Sequence, residues 1–390
     1  MQREVLLKNK NSKFTGIKYK SSPVLLNHYS FARHSLNIKN AVAGEYKQKS
    51  FKRLFADRPS YTACYGNNEV HIHPWLDRRL SVREAARIQN FPDYWTFLGG
   101  LSAEFKQIGN AVPPSLAFAV VKSVLEHVSI ENKNAVSLFS GIGGLDIGAE
   151  EAGLKIKSAL EINEYCVRGL HLNKIIGLRT GIHSFLKHSA IIQADLSDRK
   201  CTSRDFIEQA SRKKLGKIEV VIGGPPCQAF SSAGTRKGLL DERGKLYIGY
   251  LNVLKALTPH TFIFENVIGL KRMERGAVLE KISKDFLRLG YNLRVIHLNA
   301  KSFGIPQSRD RLFLIGTFDD QLVLDSIERK LNAIDSAIIP VRTVLKDLPP
   351  CLVSPRDHSF DFHYLATDQK WALGGAVYNP HEEKLINSKW

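Results

Sequence analysis

The chain has 390 residues, 43% of them hydrophobic, and its 56 Lys and Arg outnumber its 38 Asp and Glu, giving a formal net charge of +18. That length and apolar content predict a globular protein of one large domain or two, and no apolar run or N-terminal segment reads as a membrane span or signal peptide, so an intracellular location is expected. The basic excess points toward a nucleic-acid partner, although a merely soluble basic surface gives the same count.

Residues 1–60 are polar, aromatic and basic with no sustained period, and basic residues are denser at Lys8 to Lys20, Arg199 to Lys217 and Arg236 to Lys245. In SVREAARIQNF (81–91), Ser81 followed three positions on by Glu84 is a capping box that opens a helix. Pro113 and Pro114 open a second, amphipathic helix running through Val128. Helices therefore bracket QIGNAVPP (107–114). After the short polar stretch HVSIENKN (127–134) the pattern becomes alternating strands and helices. NAVSLF (134–139), KSALEI (157–162), AIIQA (190–194), KIEVVIGG (217–224), TFIFENV (261–267), NLRVIHL (292–298) and RLFLIGT (311–317) are short apolar runs, most ending in a polar or glycine-rich bend. This is the signature of an α/β domain with a mostly parallel sheet. Residues 340–390 again lack a period. The five cysteines (Cys64, Cys166, Cys201, Cys227, Cys351) include no CxxC pair, which argues for free thiols and against a disulfide framework or a zinc ribbon.

Three strand ends carry ligand-binding signals. SLFSGIGGLDIG (137–148) is a glycine turn between strand and helix, and Glu161 ends the next strand 20 residues after Gly141. Backbone N–H groups at the helix N-terminus and a carboxylate for ribose hydroxyls suit a nucleoside-containing cofactor, and Asp195 in QADLSD could accept from an adenine amine. Asp146 stands where a dinucleotide fingerprint has its third glycine, which disfavours NAD. Steric need for glycine in a tight turn is the bland alternative.

EVVIGGPPCQAFSSAG (219–234) holds Cys227 at the carboxyl edge of a parallel strand. Pro225 and Pro226 fix two φ angles and so aim the side chain, while Gly223 and Gly224 leave room for an approach to the backbone. That arrangement reads as a nucleophile, with a small core cysteine as the alternative. Glu265 and Asn266 end TFIFENV, where a carboxylate needs a partner or becomes protonated. Glu265 reads equally as a satisfied structural carboxylate. Gln307, Arg309 and Arg311 alternate toward one face that suits an anion or a polarised carbonyl, or else form a strand-edge ion pair.

Together PCQAFS, ENV (265–267), QSRDR (307–311), FSGIGG (139–144), REAARIQNFP (83–92) and QIGNAVPP resemble the DNA (cytosine-5) methyltransferase family over roughly residues 45 to 350. The resemblance implies a Rossmann-like S-adenosylmethionine-dependent methyltransferase domain with a smaller target-recognition domain. It implies that Cys227 attacks carbon-6 of cytosine, that Glu265 hydrogen-bonds ring N3 and the exocyclic amine, and that Arg309 contacts the base oxygen, with Gln307, Arg311 and Asn266 completing the catalytic set. S-adenosylmethionine would lie against Phe139, Ser140, Gly141, Gly143, Gly144 and Leu145, with Glu161 and Ile162 at its ribose and Asp195 and Leu196 at its adenine. Gly224, Pro226, Asn110, Ala111 and Val112 would close the site. A duplex hides carbon-6, so the base must be flipped out. SSAGTRKGLLDERGK (231–245) is then a candidate closing loop, with Gly234, Gly238 and Gly244 as hinges. Gln228, Ser231, Arg236, Lys237 and Arg243 are candidates for DNA contact.

The family's usual order begins with the glycine turn and ends with IGNAVP; here IGNAVPP comes first, so the motif order is circularly permuted. The expected organisation is residues 1–75 in target recognition, 76–130 as the permuted motifs, 131–320 as the catalytic and cofactor domain, and 321–390 as the remainder of target recognition. His71, His73, Tyr61 and Tyr65 read as either structural or base-reading. The resemblance implies a monomer acting on double-stranded DNA in the bacterial cytoplasm and nucleoid, without membrane or metal, as the modification half of a restriction system whose endonuclease is a functional partner only. The alternatives are an RNA (tRNA) cytosine-5 methyltransferase, a catalytically silent DNA-binding regulator and, more distantly, a nicotinamide oxidoreductase.

Overall fold

Short strands open the chain: β1 (Tyr29–Phe31), β2 (Tyr46–Lys47), β3 (Phe51–Arg53) and β4 (Val70–Ile72). The computed structural model describes residues 29–31, 46–47, 51–62, 70–226, 245–348 and 352–354. Strands β2, β3 and β4 form one small sheet, and β1 pairs in parallel with β12 (Leu352–Ser354), Tyr29 opposite Leu352. Segments from both sides of the central domain therefore meet.

Helices α1 (Val82–Ile88), α2 (Leu101–Asn110) and α3 (Pro114–Leu125) precede a seven-stranded sheet made of β5 (Asn134–Leu138), β6 (Lys155–Glu161), β7 (Ala190–Gln193), β8 (Val220–Gly223), β9 (Thr261–Val267), β10 (Asn292–Asn299) and β11 (Asp310–Thr317). Between them run α4 (Gly144–Glu151), α5 (Glu164–Thr180), α6 (Arg204–Ser211), α7 (Lys245–Leu257) and α8 (Ala277–Leu287), and α9 (Gln321–Asn332) and α10 (Val341–Leu345) follow. The strand order is β10-β11-β9-β8-β5-β6-β7. Neighbours are parallel from β9 through β7, and β11 is antiparallel to both β9 and β10. All seven expected strands are present. Since β6 and β7 extend from β5 on one side and β8 and β9 on the other, the strand order reverses at β5, and ligands of such sheets bind beyond the carboxyl ends at that point.

Apolar side chains cover both faces, as buried parallel strands require. One face packs Ala135, Ile222 and Ile263 with Leu116, Val120, Ala149, Leu324 and Ile327 from α3, α4 and α9. The other packs Val136, Leu160 and Phe264 with Tyr250, Leu254, Ile282 and Phe286 from α7 and α8. The α1 capping box forms as expected: Ser81 Oγ accepts from Glu84 N–H at 3.1 Å and Glu84 Oε2 from Ser81 N–H at 2.7 Å. Asn163 and Ser203 cap α5 and α6 by accepting from Cys166 N–H and Phe206 N–H.

Three expectations change. The Pro114 helix ends at Leu125, and Val128 lies beyond it. Leu101–Leu125 has the length and composition of a membrane span after all. It is divided at Ala111–Pro113 and largely buried in this core. Helix α9, assigned from sequence to the recognition region, instead buries Leu324, Ile327 and Leu331 against the main sheet.

The motif order finds its physical basis in the packing of α3 on α4. Cβ atoms added at Gly144 and Gly148 would fall 2.3 Å from Val112 O and 2.3 Å from Pro114 O, so the IGNAVPP segment lies directly on the glycine-turn helix. The eight-residue stretch 127–134 is enough to join them.

Candidate active site

Strand β5 ends in a turn that only a permissive backbone can make. Phe139, Gly141 and Gly143 all have positive φ (54°, 55° and 88°), and a Cβ at Gly143 would strike Leu170 at 2.8 Å. Gly141 N–H donates to Glu161 Oε2 at 2.8 Å and Asn163 N–H to Glu161 Oε1 at 2.8 Å, so the carboxylate at the end of β6 is fixed across the turn. Burial raises the Glu161 carboxyl above its ordinary range, and these N–H groups pull it back in part. The space before Gly141 is open to 4 Å, and Ile162 beside it is 55% exposed. A carboxylate with lone pairs remaining, an apolar side chain and a bare backbone suit a nucleoside. Ser140 Oγ donates to Ser137 Oγ at 3.0 Å. Asp195 is exposed at the end of β7, one carboxylate oxygen accepting from Ser197 N–H at 2.8 Å, whereas Leu196 is buried against Gly249.

The far wall comes from the helices that precede the sheet in the chain. Val112 is buried over Gly144, Leu145 lies in the core behind it and Asn110 is exposed at the end of α2. Trp95 was not singled out from sequence; its indole N–H donates to Ile142 O at 2.9 Å, inside the turn. A tryptophan in the segment after a motif is a weak signal without the contact.

The second strand end, β8, leads into Gly223-Gly224-Pro225-Pro226. The sequence reading left the two glycines room for an approaching group, but protein fills it. A Cβ at Gly223 would meet Leu138 O at 2.5 Å, and one at Gly224 would meet Glu265 Oε2 at 2.5 Å. Asn266 is a positioning residue: its Nδ2 donates to Pro225 O at 3.1 Å and its Oδ1 accepts from Val267 N–H at 2.9 Å, tying the proline turn to β9. Pro226 is exposed. Cys227 follows it directly and lies outside the described residues, as do Gln228, Ser231, Arg236, Lys237 and Arg243 and the glycines of the expected closing loop.

Glu265 sits under that turn and is 7% exposed. Arg311 Nε lies 2.8 Å from Glu265 Oε1, both side chains buried, so the pair is interior rather than at a strand edge. Burial pushes the Glu265 carboxyl up, and the charges of Arg311 and then Arg309 oppose it. Arg309 is placed differently from its expected role at the base oxygen: Nη2 donates to Gly109 O at 2.5 Å and to Ala111 O at 3.2 Å. Gln307 donates to Gln89 Oε1 at 2.7 Å. The three alternating side chains do share one interior, but Arg311 is the one paired with the carboxylate. His71 and His73 are each 2% exposed, and His73 Nε2 is 3.5 Å from Glu84. Ser60 N–H donates to Pro306 O and Ser308 N–H to Ser60 O, so the N-terminal segment docks beside Gln307. Among the described residues, Cys166 and Cys201 are free thiols.

A doubly wound sheet with one antiparallel strand, a glycine turn at its reversal point and an acid on the adjoining strand define a Rossmann-like methyltransferase fold. The chain belongs to the C-5 cytosine-specific DNA methylase family, whose model matches residues 3–126 and 134–384. It is 35% identical over 213 residues to the type II methyltransferase M.NgoPII of Neisseria gonorrhoeae, a match covering 55% of this chain and 56% of that protein. To the type II methyltransferase M.AquIA of a Picosynechococcus strain it is 36% identical over 192 residues, covering 47% and 71%. This chain thus spans little more than half the length of the Neisseria relative. Among solved structures, the S. pombe Dnmt2 methyltransferase aligns with a TM-score of 0.36 and 24% identity over 49% of this chain and 52% of that one.

Proposed function

We propose that this chain methylates carbon-5 of cytosine in duplex DNA as the modification enzyme of a bacterial restriction system, acting in the cytoplasm on nucleoid DNA. The observation that carries the reading is the buried Glu265–Arg311 pair set under the Gly224–Pro226 turn from which Cys227 follows.

Carbon-5 of cytosine is a weak nucleophile. Addition of the Cys227 thiolate to carbon-6 forms the S–C6 bond and moves the C5–C6 π pair toward carbon-5 and the N3 side of the ring. Glu265, whose carboxyl burial favours keeping protonated, is suited to share a proton with N3 as charge develops there. Arg311 holds that carboxyl in one place and stabilises the negative charge that grows on it as its proton is shared. Carbon-5 then forms its bond to the methyl group. Transfer of the carbon-5 proton to a solvent base returns the C–H bonding pair to the ring as the C5–C6 double bond and expels the thiolate. S-adenosylmethionine would supply the methyl as an electrophile on a sulfonium sulfur, which keeps the S–CH3 bonding pair and leaves as a neutral thioether. The open space at Gly141, the Glu161 carboxylate and exposed Ile162 fit its nucleoside half, with Val112 on the opposite wall. Asn266 fixes the proline turn that immediately precedes Cys227 in sequence, and such pre-ordering matters when a base reaches the site only by leaving its stack at a cost of a few kcal/mol. The net charge of +18 favours the phosphate backbone.

The test is to incubate the protein with S-adenosylmethionine and unmethylated plasmid and read methylation at single-base resolution, with Cys227→Ala alongside. The expected result is 5-methylcytosine within one short motif, lost in the variant. A folded protein that binds S-adenosylhomocysteine but leaves DNA unmodified while methylating tRNA would overturn the DNA reading.

A further inference from the structure

Three side chains with no exposed surface, Gln89, Gln307 and Arg309, close a circuit through one main-chain carbonyl. Gln89 Nε2 donates to Ala111 O at 2.5 Å, and Gln307 Nε2 donates to Gln89 Oε1 at 2.7 Å. Arg309 Nη1 donates to Gln307 Oε1 at 3.4 Å and Nη2 returns to Ala111 O at 3.2 Å. A planar amide offers its donors and its acceptor in fixed directions, so each member can take only one orientation. The circuit joins distant parts of the chain, Gln89 and Gln307 standing 218 residues apart.

The two ends of the circuit matter. Ala111 leads into Val112, whose carbonyl rests on the first glycine of α4, so this end carries the wall of the cofactor site. Arg309 stands two residues before Arg311, which pairs with Glu265, so the other end carries the base side. Gln89, which follows helix α1, stands 22 residues before Ala111 and 218 before Gln307.

We propose that this circuit sets the separation between the cofactor wall and the Glu265–Arg311 pair, and that Gln89 is thereby a positioning residue for methyl transfer. The inference rests on the methyltransferase reading above. Gln89 contacts no reacting atom and acts through Ala111 and Gln307. Methyl transfer needs donor and acceptor carbon in line, and a misplacement of about 1 Å lowers a rate by on the order of 100-fold. Opening the circuit should therefore slow the chemical step while leaving the open space at Gly141 and its ligands Glu161 and Ile162 as they are.

The experiment compares wild type, Gln89→Met, Gln307→Met and the double variant in single-turnover methylation of unmethylated plasmid DNA at saturating S-adenosylmethionine. Calorimetric binding of S-adenosylhomocysteine and melting temperature are measured on the same samples. Each single variant should slow the step by about 30- to 100-fold with the S-adenosylhomocysteine Kd changed less than about threefold. The double variant should be no slower than the slower single, because the circuit is already open. Rates within about threefold of wild type, losses that multiply in the double, or a rate that falls only in step with the Kd would overturn the proposal. Should the methionine variants fail to fold, Gln89→Glu keeps the volume and the acceptor for Gln307 but sets an oxygen against Ala111 O, and a wild-type rate there would overturn it equally. A wild type that binds S-adenosylhomocysteine yet methylates no DNA removes the underlying reading instead, and this inference with it.

Discussion

Replacing Arg311 with alanine would leave Glu265 as a buried carboxylate without its nearest counter-charge, 2.8 Å away in the native protein. Removing one partner of a buried ion pair costs about 3–5 kcal/mol, and the lower part of that range applies because Arg309 still faces the carboxylate. The cost depends on pH in a definite direction. Burial already raises the Glu265 carboxyl, and losing Arg311 raises it further. An acid whose folded-state value is raised keeps its proton in the native state where the unfolded chain has released it. Its contribution is therefore intact below the ordinary carboxylate range and is lost as pH rises through the raised value. The stability deficit of Arg311→Ala should be larger at pH 8 than at pH 5.5. Guanidinium chloride unfolding followed by tryptophan fluorescence at both pH values measures it, and adding Glu265→Gln should recover most of the loss. A deficit equal at the two pH values and untouched by Glu265→Gln would refute the reasoning.

Gly224→Ala places a Cβ 2.5 Å from Glu265 Oε2, and should slow single-turnover methylation by about tenfold or more with S-adenosylhomocysteine binding unchanged, since only the base side is disturbed. Gly144→Ala instead forces a Cβ to 2.3 Å from Val112 O; overpacking there should cost about 1–3 kcal/mol and weaken S-adenosylhomocysteine binding in a calorimetric titration. Asp146, 1% exposed in the first turn of α4, has its carboxyl raised to about 6 by burial, with the nearby Ser137 and Ser140 hydroxyls only partly opposing that. A rise of about two pH units corresponds to about 3 kcal/mol of stability lost as pH climbs from about 4 through 6, and Asp146→Asn should flatten that part of the stability-versus-pH curve.

The main sheet was legible because each of its strands is a short apolar run, most of them closed by a bend, a purely local property. The α1 cap was legible for the same reason, since Ser81 and Glu84 satisfy each other within one turn. What the sequence could not convey was partnership at long range. Alternation correctly groups Gln307, Arg309 and Arg311 on one interior, but nothing local says that the Arg309 guanidinium reaches Gly109, 200 residues away in sequence. Gly223 and Gly224 advertise closeness without saying whether a ligand or the protein's own Leu138 and Glu265 will come close. Leu324, Ile327 and Leu331 have helical spacing, yet only the exposed underside of a sheet already built explains why α9 joins the core. Asn266 reads as part of a motif, and its work on the Pro225 carbonyl emerges only when β8 and β9 are neighbours.

The joint between α3 and β5 is held at several points: Ser129 N–H donates to Asp319 at 2.8 Å, Glu131 pairs with Lys217 at 3.0 Å, and Lys133 O accepts from Lys155 N–H at 2.7 Å. The family model skips this stretch, matching up to 126 and again from 134. A short tether of this kind supplies an effective concentration on the order of millimolar for docking one element on another. Leu116, Ala117, Val120, Val121 and Val124 already give α3 a largely apolar underside for that docking. Cutting that stretch would leave α1 to α3 to dock on α4 as a separate piece, and the wall over Gly144 would then depend on the concentration of the two pieces.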